Sequence, residues 1–314
     1  MSAGRFSRLA VSLALVAVAM VWGGTFVMVK AAVAAYPLYA FLGWRFTVAS
    51  VAFVVLFPGV FKRFGPGTLR VGLLAGVLLT AGYVFQTWGL QGTSASKAAF
   101  ITGMFVVITP VLQAVVLRRV PHAYALAGVG LAVVGMWLLT GGVDGWNSGD
   151  TRVLLCAVAY SAHMIVLGGL GRRHDAVALT LVQLATAAVF CGAVAAVVER
   201  PPLPTGGQLW LALAVTGVLA SAVAFAVQTH AQRLLSPTST ALILVCEPAF
   251  GGLFGWWLGG DVFGAPQLAG AALILGGMVS AEALAMLRPR GASDARLEPA
   301  VEGPPVAELG ETGG

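Results

Sequence analysis

The sequence predicts an all-α integral membrane protein with ten transmembrane helices, arranged as two inverted five-helix repeats. Three observations predict it. Hydrophobic residues make up 59% of the 314 positions and charged residues only 10%, against about 45–50% and about 25% in soluble domains. Apolar runs of about 20 residues, the length that crosses hydrocarbon as a helix, recur along the chain. The two halves match at one constant offset of 138 residues. Neither a disordered chain nor a collagen-like one fits, because apolar residues dominate and no strict Gly-X-Y period exists.

The apolar segments run over 9–29, 37–57, 69–90, 95–117 and 123–141, then 152–171, 176–198, 208–230, 238–259 and 266–287. Between them PGVFKRFGPG, RRVPH, GGVDGWNSGD, GRRHD and ERPPLPTGG carry the Pro, Gly and charge of loops. Arg5 and Arg8 before the first segment, and Ala17-Val18-Ala19 within it, resemble a signal peptide. The apolar run continues to Val29, beyond the 7–15 residues of a typical signal core, so it reads as a retained helix. The organisation is 1–8 as a cytoplasmic N-terminus, 9–141 as the first repeat, 142–151 as a linker and 152–287 as the second repeat. Residues 288–314, rich in Pro, Gly and Glu, read as a disordered cytoplasmic tail.

Charge placement gives orientation. With the N-terminus cytoplasmic, the inner segments hold Arg5, Arg8, Lys62, Arg63, Arg70, Arg118, Arg119, Arg172, Arg173, Arg233, Arg288, Arg290 and Arg296. The outer ends hold Lys30, Lys97, Arg152 and Arg200. Cytoplasmic loops carry the Lys/Arg excess, so both termini lie inside. The net charge of +6 is then a topology signal in a multi-pass inner-membrane protein. Its partner is the lipid bilayer; no nucleic-acid partner is called for. The three cysteines, Cys156, Cys191 and Cys246, lie in apolar runs and read as small buried hydrophobes. Neither a metal site nor a cofactor is expected.

The 138-residue offset places Trp22 on Tyr160, Arg45 on Gln183, and Thr109-Pro110 on Glu247-Pro248. Five helices per half is an odd number, so the second copy enters the membrane from the opposite side. In that plan substrate sites lie near the midplane between repeats. Glu247 is the acid deepest in a span, about ten residues or about 15 Å along its helix. Such a charge costs on the order of 3 kcal/mol to insert, so it must face a cavity or a partner. It reads equally as a functional group, a substrate-amine ligand or a protonatable gate, and as a structural one in an ion pair or hydrogen bond, for which Arg45 at similar depth is a candidate partner. Pro110 and Pro248 remove helical donors and are read as hinges or as static kinks.

Polar and aromatic residues spaced by three and four form stripes: Trp22-Thr25-Phe26, Tyr83-Gln86-Thr87, Thr102-Phe105-Thr109-Gln113, Tyr160-His163-Met164 and Ser221-Phe225-Gln228. Together they read as the lining of a central cavity; individually each could be an interhelical hydrogen bond. The candidate substrate-binding residues are Trp22, Thr25, Tyr83, Gln86, Thr109, Tyr160, His163, Gln228 and Glu247, with Pro110 and Pro248 as hinges. His163 reads as a proton carrier or a packing residue, and Lys97 as a snorkelling side chain. Gly72-Gly76 and Gly251-Gly255 have the spacing of close helix contacts. No GxxxxGK[ST] loop and no HExxH occurs, so no catalytic residue is expected.

VWGGTFVMVK in the first segment, Arg45 in the second, TSASKAAFITGMFVVITPVL through the fourth and CEP in the ninth resemble the drug/metabolite transporter superfamily, specifically its EamA-type members. The resemblance covers about 9–287. It implies ten helices around a central cavity and carriage of small metabolites, often amino acids or related compounds and often outward. Tyr160-Ser161-Ala162 and Gln183 depart from the first repeat's Trp-Gly-Gly and Arg. The expectation is an alternating-access exporter of a small molecule, with a homodimer allowed. The alternative is a non-transporting membrane scaffold or intramembrane enzyme.

Overall fold

The computed structural model describes residues 2–116, 118, 123–142, 145–234 and 243–287. The tail from 288 and residues 238–242 of the ninth apolar segment lie outside the described residues. The helices are α1 (Ser2–Ala35), α2 (Leu38–Leu56), α3 (Thr68–Leu90), α4 (Ala95–Gly103), α5 (Phe105–Val116), α6 (Ala123–Thr140), α7 (Ser148–Gly169), α8 (Ala176–Val194), α9 (Gly207–Leu213), α10 (Ala224–Leu234), α11 (Cys246–Leu258) and α12 (Ala265–Leu287). Two π-helical stretches occur, Ala195–Glu199 after α8 and Ala214–Val223 between α9 and α10.

Seven stretches are long and apolar enough to cross a membrane: Ala10–Ala35, Leu38–Leu56, Thr68–Leu90, Ala95–Val116, Ser148–Arg173, Ala176–Glu199 and Gly207–Gln228. Leu126–Thr140 and Ala265–Ser280 are shorter apolar helices, and α11 has 13 residues. The described residues therefore give a multi-pass, all-helical membrane protein in which seven spans, rather than ten, meet the length expected. The ninth segment falls short because a turn at Val245 interrupts it and its first residues lie outside the described part.

Local chemistry sets the helix ends. Pro37 disfavours helical geometry in the residue before it, so α1 stops at Ala35 and α2 starts after Pro37. Asn147 and Asp150 form a reciprocal capping box at α7. Ser94 caps α4 and Asp175 caps α8. Asp175 accepts from the amides of Val177 and Ala178. At the matching positions of α2, Glu199 accepts from Tyr39 and Ala40 at 3.0 and 2.8 Å.

The packing exchanges the two halves. Two extensive contacts pair corresponding helices, α2 with α8 and α6 with α12, and α4 packs on α11, the counterpart of its continuation α5. The others come as swapped couples. α3 packs on α7 and α8, as the 214–234 segment packs on α1 and α2; α1 packs on α11, as α7 packs on α5. Glycine permits the closest of these. A Cβ on Gly23 would fall 2.6 Å from the Gly251 nitrogen, and one on Gly251 would fall 2.2 Å from the Ala99 Cβ. Gly72 and Gly76 likewise receive Val182 and Thr186 of α8. Both pairs read from spacing thus lie at helix contacts.

Large fully buried side chains such as Phe41, Phe46, Phe53 and Leu184 fill the interior. The outward surface is also apolar, with Val55 at 74% and Val189 at 72% exposure, as a lipid-facing surface requires. Cys156 and Cys191 are buried, but Cys246 is exposed. A thiol on an apolar outer surface needs no burial, which corrects the expectation for that residue.

Replacing Gly251 by Val should destabilise the protein by about 1–3 kcal/mol or more through overpacking against α4. Gly276→Ala, where an added Cβ meets nothing within 4 Å, should be neutral. Thermal unfolding of the two variants in detergent checks the contrast.

Candidate functional site

The residues read from the sequence divide into a cluster and several separate contacts. Tyr83 of α3 and Tyr160 of α7 meet edge to face, with ring centroids 5.7 Å apart. Phe46 lies 4.8 Å from Tyr83 and Phe105 lies 6.4 Å from Tyr160. Gly82 makes room, since a Cβ there would fall 2.2 Å from the Tyr160 ring. Beside this aromatic group, Gln86 Nε2 donates to Thr102 Oγ1 at 3.2 Å. Five helices (α2, α3, α4, α5 and α7) therefore converge on one polar-aromatic patch.

Trp22 belongs to a matching patch across the repeat axis. Its ring lies 5.9 Å from Phe225, and its Nε1 donates to the carbonyl of Ala220 at 2.7 Å. That acceptor is available because the amide of Ala224 bonds to Leu219 and Ser221 at the end of the π-helical stretch, passing over Ala220. The corresponding part of the first repeat, within α3, is a regular α-helix. π-Turns often accompany functional sites.

Other site residues point elsewhere. Thr25 donates to its own helix at Trp22, and Thr109 donates to Phe105. His163 is 7% exposed and pairs with Gln183 Oε1 at 2.5 Å. Gln183 gives its Nε2 to the Leu179 carbonyl, which turns Oε1 toward the ring and makes His163 Nε2 the donor. This is the hydrogen-bonded packing role weighed for His163. Gln228 is half-buried, whereas Gln113 and Met164 of the stripes are exposed.

Glu247 is half-buried and makes no side-chain hydrogen bond or ion pair among the described residues. The two salt bridges there are Arg63–Asp175 and Lys97–Asp150, so no ion pair joins Glu247 to Arg45. Its setting also differs from a point ten residues along a continuous helix. α11 begins at Cys246, which puts Glu247 in a first helical turn, where the helix dipole favours negative charge. Pro248 occupies the same first turn, where its missing amide costs no helical bond. Pro110 instead lies inside α5, six residues past the break at Met104. The two matching prolines thus have different backbone roles.

Sequence reasoning missed a second polar assembly at the predicted outer ends. Asp150 is fully buried; it accepts from the Thr93 hydroxyl and, at 3.1 Å, from the Asn147 amide. Lys97 Nζ lies 3.8 Å from it and donates to the carbonyls of Gly145 and Thr140. Lys30 donates to the Thr93 carbonyl at 2.8 Å. Lys97 is therefore tied inward rather than snorkelling. The Asn147-x-x-Asp150 spacing was the available signal. A cavity of about 560 Å³ beside Trp44, Gly192 and Arg200 contains none of the site residues read from the sequence.

The pattern of the EamA-like transporter family matches residues 9–141 and again 147–281. An uncharacterized transporter of Archaeoglobus fulgidus is 31% identical over 268 residues, covering 85% of this chain and 84% of that protein. An S-adenosylmethionine/S-adenosylhomocysteine transporter of Chlamydia trachomatis is 31% identical over 78% of this chain and 80% of its own length. A solved crystal structure, 19% identical, shares the fold with a TM-score of 0.63 over 88% of this chain and 99% of that one.

Asp150→Ala should cost on the order of 3 kcal/mol by leaving buried donors unpaired, and Thr93→Val about 1 kcal/mol. Thermal midpoints of purified protein test this ordering; equal losses would contradict the network.

Proposed function

This chain belongs to the EamA-like transporter family, and we propose that it is a secondary transporter exporting amino acids or related small metabolites across the cytoplasmic membrane. Ten spans form two inverted repeats, 9–141 and 152–287, with both termini cytoplasmic. The helices α6, α11 and α12 supply the spans beyond those seven stretches. The exchange-symmetric packing supports this plan, because equivalent contacts recur when the two halves are swapped.

The observation that carries the reading is a polar-aromatic interior in a membrane protein of two repeats, with an acid, Glu247, that has no partner among the described residues. Trp22, Thr25, Tyr83, Gln86, Thr109, Tyr160, His163, Gln228 and Glu247 line or frame the path. Tyr83, Tyr160 and Glu247 face the solute, while His163 and Thr25 hold their helices in place. Alternating access comes from rocking of one repeat against the other, with Pro110 and Pro248 where the helices α5 and α11 flex. The outer network around Asp150 and the Arg63–Asp175 contact close opposite ends. Two relatives are named for S-adenosylmethionine and S-adenosylhomocysteine, each an amino acid joined to a nucleoside, so these compounds join the candidate solutes.

Proteoliposomes containing the purified protein should show saturable flux of at least one labelled amino acid or S-adenosyl compound. Glu247→Gln should lower that flux at least about tenfold, the loss of one charged contact, with little change in thermal midpoint. Absence of flux for every solute, with the protein folded, would sink the reading. Reporter fusions near Gly145 and Arg172 should lie on opposite sides of the membrane; both on one side would defeat the ten-span plan.

A further inference from the structure

Arg45 has no part in the site as read from the sequence, except as a partner for Glu247 that the structure does not provide. It lies within α2 at 3% exposure. Its Cζ sits 4.7 Å from the Tyr83 ring centroid and 5.4 Å from that of Phe46. A buried arginine ordinarily gives its in-plane N–H groups to a carboxylate or to carbonyl oxygens. Here Nε is sealed and has no acceptor. Among the described residues, neither a carboxylate nor a carbonyl takes a hydrogen bond from the terminal nitrogens either. The ring contacts stabilise the charge but do not satisfy the N–H donors, which remain as a planar fork.

The matching position in the second repeat shows that this location does not require a cation. Gln183 stands there, with its amide satisfied by Leu179 and His163. A cation kept unpaired in one repeat, where a neutral and satisfied side chain serves in the other, points to a ligand. A planar guanidinium edge matches a carboxylate, which it can hold through two parallel hydrogen bonds. The Tyr83 ring over which Arg45 lies also meets Tyr160 edge to face, so the guanidinium borders the polar-aromatic patch.

We infer that Arg45 anchors the carboxylate of the carried solute beside the Tyr83–Tyr160 pair. The solute is then one with a free carboxylate, whatever the rest of its structure. This inference rests on the transporter reading and narrows it to a charge class.

The test uses protein in lipid nanodiscs and four probes, L-methionine, L-phenylalanine, L-threonine and S-adenosylhomocysteine, each beside its α-carboxamide. At least one acid should bind wild-type protein about tenfold or more tightly than its amide, the ratio expected for a charged hydrogen bond. Arg45→Gln should abolish that preference by weakening the acid and sparing the amide. Arg45→Lys, which keeps the charge but loses the fork, should retain part of it. Equal binding of acid and amide to wild type overturns the inference without needing any variant to fold. So does an equal weakening of both by Arg45→Gln, which marks a structural role. Flux confined to solutes lacking a carboxylate would overturn this inference and leave the transporter reading standing. No flux of any solute would overturn the reading beneath it.

Discussion

In hydrocarbon there is no water to accept what a side chain or backbone leaves unbonded, and that constraint shapes this protein at every level. Hydroxyl groups inside the helices turn back on their own turns: Thr47 to Gly43, Ser50 to Phe46, Thr80 to Gly76, Thr186 to Val182 and Thr216 to Ala212. Each is satisfied within one helix, so these residues say little about neighbours. Longer polar groups must cross to another helix. Trp22 finds a carbonyl passed over beside the π-turn, Gln86 finds Thr102, and His163 finds Gln183. Arg45 and Glu247 are charged exceptions to this rule, since neither is paired among the described residues, and the buried Thr87 hydroxyl is a neutral one.

The same solvent removes the usual reason for helices to associate. Lipid tails are as apolar as leucine, so contact has to come from close fit and polar bonds. Glycine supplies the fit where α11 is held between α1 and α4: Gly23, Gly251, Gly252 and Gly255 each lack room for a Cβ. The backbone of Glu247 lies in that layer, since its carbonyl is 2.9 Å from a Cβ built on Gly23. The acid is therefore carried by a segment packed on both sides, while its own helix begins one residue before it. A tightly held helix start fixes where the charge sits without fixing a partner for it.

Much of the helical architecture was legible because apolar length, Lys/Arg placement and the 138-residue offset are properties of the chain itself. Trp22 on Tyr160 and Arg45 on Gln183 could be aligned with no knowledge of contacts. What periodicity could not give was the partner of each polar group. Thr25 and Thr109 share stripes with Trp22 and Phe105, yet their hydroxyls bond within their own helices. The π-turns over Ala195–Glu199 and Ala214–Val223 have no composition signal, because a change from four- to five-residue bonding leaves an apolar run apolar. The break at Val245 was hidden for a similar reason, as Leu244-Val245-Cys246 reads like any continuous helix.

The two halves share a framework and differ in what they place at matching points. Thr109 is satisfied in its own helix, whereas its counterpart Glu247 has no partner among the described residues. Arg45 has none there either, whereas its counterpart Gln183 is tied to His163. Among the described residues the two halves thus leave charges of opposite sign unpaired at non-equivalent positions. Had duplication been left unaltered, like charges would face one another across the axis and the interior would repel itself. Divergence at these two pairs turns a symmetric framework into one with a cation on α2 and an acid on α11. In the proposed rocking mechanism the shared framework serves the two closures, and the unlike charges set the orientation of a charged solute.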